Sequence, residues 1–205
     1  MRPFILGLGA MCLICGASGS LHAQMVLQTD SVKLQPQIGR DAEGFNSCGV
    51  RAVVVLANSQ YIDAYDFSLM VRFDMPYGTW KAGKSRTPIK AAKAGKFTAG
   101  ASVPPPIRFW LASENEGKPT SPIKIIPAET KGYILEISDL VGTLRGIYSI
   151  IHGERMHFAM RYKSEPVDAV ISFAETMPDN ERLPLIKCLN GVGDRLGKEV
   201  EQRKQ

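Results

Sequence analysis

Tyr65-Asp66-Phe67-Ser68-Leu69-Met70-Val71-Arg72-Phe73-Asp74 alternates along nearly its whole length. Tyr65, Phe67, Leu69, Val71 and Phe73 share one face of an extended chain, and Asp66, Ser68, Arg72 and Asp74 share the other. Two residues is the side-chain period of a β-strand. The stretch therefore predicts a strand with one face in a core and the other in water. Upstream, Cys48–Leu56 (CGVRAVVVL) is β-branched and apolar on both faces towards its end, as a central strand requires. Asn58-Ser59-Gln60 reads as the turn between the two. Further upstream, the alternation Val32-Lys33-Leu34 predicts a short strand followed by a loop.

Downstream, Pro76-Tyr77-Gly78 turns the chain. Trp80–Ile89 offers another strand, weakened by Gly83 and Pro88, and residues 91–100 fit a loop or a short helix equally well. Pro104-Pro105-Pro106 is a stiff, extended connector. Ile107–Ala112, Ile123–Ile126 and Tyr133–Ile137 read as strands, with Asn115-Glu116-Gly117 as a hairpin turn between the first two. A helix is predicted from Ser138-Asp139, with Ser138 as N-cap. Leu140, Leu144, Ile147 and Ile151 form its apolar stripe, Val141 and Tyr148 lie beside it, and Gly153 stops it as a left-handed C′ residue. Met156–Tyr162 and Val167–Ala174 predict a strand pair around the turn Lys163-Ser164-Glu165-Pro166. Asp179-Asn180 caps a last helix whose stripe is Leu185, Leu189, Val192, Leu196 and Val200, with Pro184 placed in its first turn. Gly191, Gly193 and Gly197 weaken that helix, so packing must hold it. Strands joined by short turns, with two helices late in the chain and one of them C-terminal, predict an α+β domain built on an antiparallel sheet or sandwich.

The N-terminus carries different information. Arg2 is its only charge, Phe4–Cys15 is an uncharged apolar run, and small residues lead to Ala23. This is the order of a secretory signal peptide. The run is shorter than the ~20 residues that a membrane-spanning helix needs. Cleavage near Ala23 would leave residues 24–205 as one domain in the periplasm or outside the cell. Cys12 and Cys15 would leave with the signal. Cys48 and Cys188 would remain, and an even pair in an oxidising compartment predicts one disulfide.

Charge placement is uneven. Between Met75 and Ser113 stand Lys81, Lys84, Arg86, Lys90, Lys93, Lys96 and Arg108, with no acid among them. Trp80, Phe97, Phe109 and Trp110 lie within or beside this segment. A local excess of positive charge attracts polyanions. Outside the cytoplasm these are lipid headgroups, lipopolysaccharide phosphates, acidic glycans or an acidic protein, and nucleic acid is a poor match to that compartment. Trp80, Lys81, Lys84, Arg86, Lys90, Lys93 and Lys96 are accordingly the candidate binding residues.

Catalytic signatures are thin. After Ala23 the histidines are His152 and His157, one placed at a helix end and one on a strand, and no serine sits in a GxSxG elbow. The mature chain has no HxH, HxxxH or CxxC spacing for a metal. Gly191-Val192-Gly193 lacks the third glycine and preceding strand of a dinucleotide site. No cofactor is expected.

The order of elements carries one further hint. A cysteine opens a strand in Ser47-Cys48-Gly49-Val50-Arg51, the alternating strand ends in Arg72-Phe73-Asp74, and Trp80-Lys81 follows. A helix then leads into a strand, a penultimate strand ends in Ser172-Phe173, and the terminal helix carries Leu185 and Cys188. This order resembles small periplasmic modules such as the invasion-associated locus B family and the VasI/TagO accessory proteins of type VI secretion. The basic stretch Lys81–Lys96 and the terminal glycines depart from them. The resemblance implies a non-enzymatic role in the envelope and assigns no site residue. The expected function is a non-catalytic, exported binding or accessory protein that turns its basic segment towards an anionic surface or partner. The alternatives are a periplasmic hydrolase acting on envelope polymers and a secreted effector or inhibitor of another protein.

Overall fold

The computed structural model describes residues 24–27, 31–94, 101–114 and 122–202. The expected leader, Lys96, Phe97 and the Asn115-Glu116-Gly117 turn lie outside these residues. Among the described residues there are eleven strands and three helices: β1 Gln24–Leu27, β2 Ser31–Asp41, β3 Gly44–Ala57, β4 Tyr61–Arg72, β5 Tyr77–Pro88, α1 Ile89–Lys93, β6 Ala101–Ser102, β7 Arg108–Ser113, β8 Lys124–Pro127, β9 Tyr133–Asp139, α2 Leu140–Ile151, β10 Met156–Arg161, β11 Asp168–Phe173 and α3 Asp179–Gln202. The larger sheet runs β2-β3-β4-β5-β9-β8, and β6 pairs with the far part of β5. The smaller sheet runs β1-β11-β10-β7. Its β1–β11 pair is parallel; the other pairs of both sheets are antiparallel.

The alternation at 65–71 does what its period dictates. Tyr65, Phe67, Leu69 and Val71 are buried, and Asp66, Ser68 and Arg72 are not. They meet the inward face of the smaller sheet: the Phe67 ring centroid is 4.2 Å from that of Phe158 and 5.7 Å from that of Phe109, and Trp80 meets Phe109 edge-on at 5.7 Å. The two sheets thus form a sandwich over one shared core. A fully buried Phe or Trp withdraws on the order of 150–250 Å² from water, so this aromatic seam dominates the core.

Three local readings are corrected. The strands at 107–112 and 123–126 do not form a hairpin: β7 pairs with β10 in the smaller sheet, and β8 pairs with β9 in the larger. The N-cap of α2 is Asp139, whose carboxylate accepts from Gly142 N at 2.6 Å; Ser138 is buried in the strand before it. Pro184 falls in the second turn of α3, beyond the first turn, where Pro is ordinarily tolerated.

One end of the sandwich is closed by helices. Gly146 of α2 comes so close to both sheets that a Cβ there would lie 2.7 Å from Leu111 and 3.1 Å from Leu69. Gly153 ends the helix at φ +71°, in the left-handed region that favours glycine. On α3, Leu185, Cys188, Leu189 and Val192 are buried. Cys188 is bonded to Cys48 of β3, as the pair of cysteines predicts, with Cα atoms 5.8 Å apart and a sequence separation of 140. Arg195 extends the seal: it bonds Asp41 at 3.1 Å, Glu43 at 2.9 Å and the Phe45 carbonyl at 3.0 Å, and lies over the Phe73 ring. Among the described residues no helix is long and apolar enough to cross a membrane.

Candidate functional site

The opposite end is covered by neither α2 nor α3; β5 leads into it, and the short α1 follows there. The register sets Leu69 opposite Trp80, Phe67 opposite Ala82, Tyr65 opposite Lys84 and Asp63 opposite Arg86. The inward face of β5 is therefore Trp80, Ala82, Lys84, Arg86, two apolar residues and then two cations. The alternation continues the core face of β4, so the cations are carried inwards by the same period that buries Trp80.

Trp80 is fully buried, and its indole N–H donates to Thr143 Oγ1 of α2 at 2.8 Å. It anchors the core and offers no surface contact, contrary to its place among the binding candidates: strand phase, not neighbouring charge, decides its direction. Lys81, on the other face of β5, donates to Thr130 Oγ1 at 2.7 Å and lies 5.0 Å from the Tyr133 ring centroid. Lys90 and Lys93, on the short α1 just beyond β5, are exposed.

Lys84 and Arg86 enter a cavity of about 400 Å³ at the open end, lined by Leu27, Leu56, Ala57, Asn58, Asp63, Tyr65, Lys84, Arg86 and Glu165. Arg86 is committed. Its Nε and Nη2 each donate to an oxygen of Asp63 at 2.7 Å, and the Tyr61 ring is 4.9 Å away. This bidentate pair raises the Arg86 pKa, so the guanidinium is permanently charged and neutralised. Lys84 is different. Its side chain is 3 % exposed, yet Glu165 Oε1 is 3.6 Å from its ammonium, beyond hydrogen-bonding distance. The rings of Tyr162 and Tyr65 flank the ammonium at 4.7 and 5.3 Å, within cation–π range. Burial, the largest cause in both, raises the pKa of the Tyr65 and Tyr162 hydroxyls, so both stay neutral near pH 7. The cluster is a buried, aromatic-walled cation whose counter-ion hangs from the surface turn between β10 and β11.

The remaining chemically suggestive groups are set apart from this cavity. His157 Nδ1 and Ser172 Oγ lie 2.7 Å apart across β10 and β11. His152 is the C-cap of α2 and stacks on Tyr148. Glu136 is sealed between the sheets. Its Oε1 accepts from Phe109 N at 3.0 Å, and Oε2 is buried without a partner among the described residues. Burial raises its pKa to about 7, against the lowering effects of the Phe109 N–H and of Arg108. The Phe109 N–H points off the free edge of β7, so Glu136 caps a strand edge that would otherwise leave a buried donor orphaned. That structural task accounts for the buried carboxyl. Among the described residues no group of three or more His, Cys, Asp or Glu could hold a metal ion.

Sequence reading found Lys84 and Arg86 but missed Asp63, Tyr65, Tyr162 and Glu165. The available signal was the spacing Trp80-x-Ala82-x-Lys84-x-Arg86, which puts the two cations on the core side. Nothing local in the sequence connects Glu165 to Lys84 across 81 positions. Compared with known protein families, with characterised proteins and with solved structures, the chain matches none.

Proposed function

We propose that the protein is a non-catalytic, exported binding or accessory protein of the cell envelope, acting in the periplasm or outside the cell after cleavage near Ala23. It meets an anionic surface or partner through the open end of its sandwich. The observation that carries the reading is the division of labour among the basic residues there. Arg86 is tied to Asp63 and Lys84 is buried, whereas Lys90 and Lys93 on α1 and Lys163 in the β10–β11 turn are exposed at the same end. Exposed lysines near an anionic surface attract it by about 1 kcal/mol each at physiological salt. Exposed charges are screened over ~8 Å at 0.15 M, so the contact is salt-sensitive.

The test is sedimentation with phosphatidylglycerol-containing and with neutral phosphatidylcholine vesicles, alongside lipopolysaccharide and an acidic glycan, at low and high salt. Binding to at least one anionic component that weakens with salt supports the reading. Equal binding to neutral and anionic vesicles, or none to any anionic component at low salt, overturns it.

A further inference from the structure

We propose that the open-end cavity is a binding site for a small carboxylic acid with a short apolar body, and that Glu165 occupies the place of the ligand's carboxylate when the site is empty. The inference goes beyond the surface-contact reading and does not depend on it.

A buried ammonium needs acceptors, because taking a charge out of water is expensive unless the charge is paired and hydrogen-bonded. Lys84 has a partner at 3.6 Å and two aromatic faces. These offset its charge, but among the described residues they leave the ammonium, which lines the cavity, without a carboxylate oxygen inside hydrogen-bonding distance. The neighbouring ion pair is built differently. Asp63 is 10 % exposed in its side chain and grips Arg86 with two bonds of 2.7 Å. Two cation–carboxylate pairs thus stand side by side, one closed and one open. The open one is the one whose acid sits on a surface turn, with 35 % of its side chain exposed.

Glu165 can leave without exposing a buried charge of its own, since water receives it. An incoming carboxylate then takes its position on Lys84, with the ammonium donating. The exchange conserves the charge of the site, one carboxylate for another. This is why a monoanion fits: the cavity groups Lys84, Arg86, Asp63 and Glu165 sum to zero, and a dianion such as phosphate would face Asp63 with an unbalanced charge. Leu27, Leu56 and Ala57 supply apolar wall beside the cation. The lining is mixed, with this apolar wall on one side and the charged groups on the other, and its volume lies within the usual range of small-molecule sites, which begins at about 300 Å³.

The test uses hexanoate as the probe on the full-length mature chain, by isothermal titration and by NMR of the Lys84 ammonium resonance. Hexanol, hexylammonium and inorganic phosphate are the comparators. The expected result is hexanoate binding, with a shift of the Lys84 resonance and no comparable binding of the comparators. Glu165→Gln removes the internal competitor and should tighten hexanoate by roughly tenfold, and Lys84→Met should abolish binding. Should Lys84→Met fail to fold, the Lys84 resonance in wild type and in Glu165→Gln decides alone. The proposal is overturned if neither wild type nor Glu165→Gln binds hexanoate at up to about 10 mM, well above the ~1 mM dissociation constant of a weak complex. It is equally overturned if hexanol binds as well as hexanoate, or if Glu165→Gln leaves the affinity unchanged. Vesicle binding is read separately, so loss of the surface contact and loss of the cavity site are distinguishable.

Discussion

At one end of the sandwich the gap between the sheets is covered by α2 and α3, with a cleft of about 350 Å³ between the two helices; at the other it is left to Lys84, Arg86 and their acids. The closed end is apolar and covalent, with Ile147, Ile150, Leu185 and Val192 buried there and Cys48 bonded to Cys188. The open end has Tyr65 and Tyr162 around an ammonium and a cavity in place of packing. On the proposed reading, the contrast separates stability from recognition. Apolar packing gains most when it is dense and unperturbed, whereas a binding site requires polar groups that have not already satisfied one another.

The largest expected effect breaks the closed end. The Cys48–Cys188 bond spans 140 positions, and in the chain-entropy model a loop of that length is worth about 5 kcal/mol. Urea unfolding of Cys48→Ala/Cys188→Ala should show a loss of about 4–5 kcal/mol. A loss under about 1 kcal/mol would mean that α3 is held by packing and the Arg195 contacts alone.

The next effect comes from the seam between the two ends. The Glu136 pKa is raised by burial from 4.5 to about 7. The folded state therefore holds this proton more tightly than the unfolded state does. Glu136 burdens the fold least below pH ~4.5; the penalty grows between pH ~4.5 and about 7, where the unfolded chain has lost the proton that the fold still holds, and is complete above that. In Glu136→Gln the group no longer titrates, and its side-chain oxygen still accepts from Phe109. The stability difference between variant and wild type should move in favour of the variant by about 3 kcal/mol between pH 4.5 and pH 8.5. Parallel denaturation curves at the two pH values measure it; a difference independent of pH sinks the assignment.

At the open end the Asp63–Arg86 pair is the structural half of the charge cluster. Arg86 is 38 % exposed in its side chain, so solvent weakens the pair. A double-mutant cycle with Asp63→Asn and Arg86→Gln should give a coupling of about 1 kcal/mol. The same cycle on Lys84 and Glu165 should give a smaller coupling, since that pair is open at 3.6 Å. If the two couplings are equal, the difference between a closed and an open pair disappears.

What the sequence made legible follows from which forces are local. The phase of Tyr65–Val71 is a property of successive residues, and so is the left-handed stop at Gly153. The disulfide followed from a count of two cysteines. Strand partnership is not local. The residues of β7 carry the same alternating signal whether they pair with β8 a dozen positions on or with β10 more than forty away, and only the assembled core selects β10. The N-cap turned on a single residue: Ser138 and Asp139 are both good caps, and the phase of β9 turns Ser138 inwards. Within the basic segment, Trp80 misled for a related reason. Charge suggests solvent, but on β5 the period of two is stronger, so Trp80 enters the core and Lys84 follows it.

The smallest expected effect on stability is the sharpest test of the comparison. Lys90 and Lys93 are exposed on a five-residue helix with no buried residue. Exposed substitutions away from caps and buried pairs ordinarily change stability by less than about 0.5 kcal/mol. Lys90→Gln/Lys93→Gln should therefore melt like wild type while losing affinity for anionic vesicles, by roughly fivefold per lysine at 0.15 M salt if each contributes about 1 kcal/mol. Changing Lys84 in the same experiment would confuse two questions, because Lys84 is buried and its loss perturbs the Tyr65–Tyr162–Glu165 cluster. The double variant at α1 leaves that cluster intact and removes only charge that faces water. Sedimentation with phosphatidylglycerol vesicles at two salt concentrations, beside a urea melt of the same sample, reads both quantities. Unchanged vesicle binding would show that α1 is merely a solvated turn at the end of β5. Lost vesicle binding with an unchanged melt would show that the open end recognises charge with residues the fold does not need.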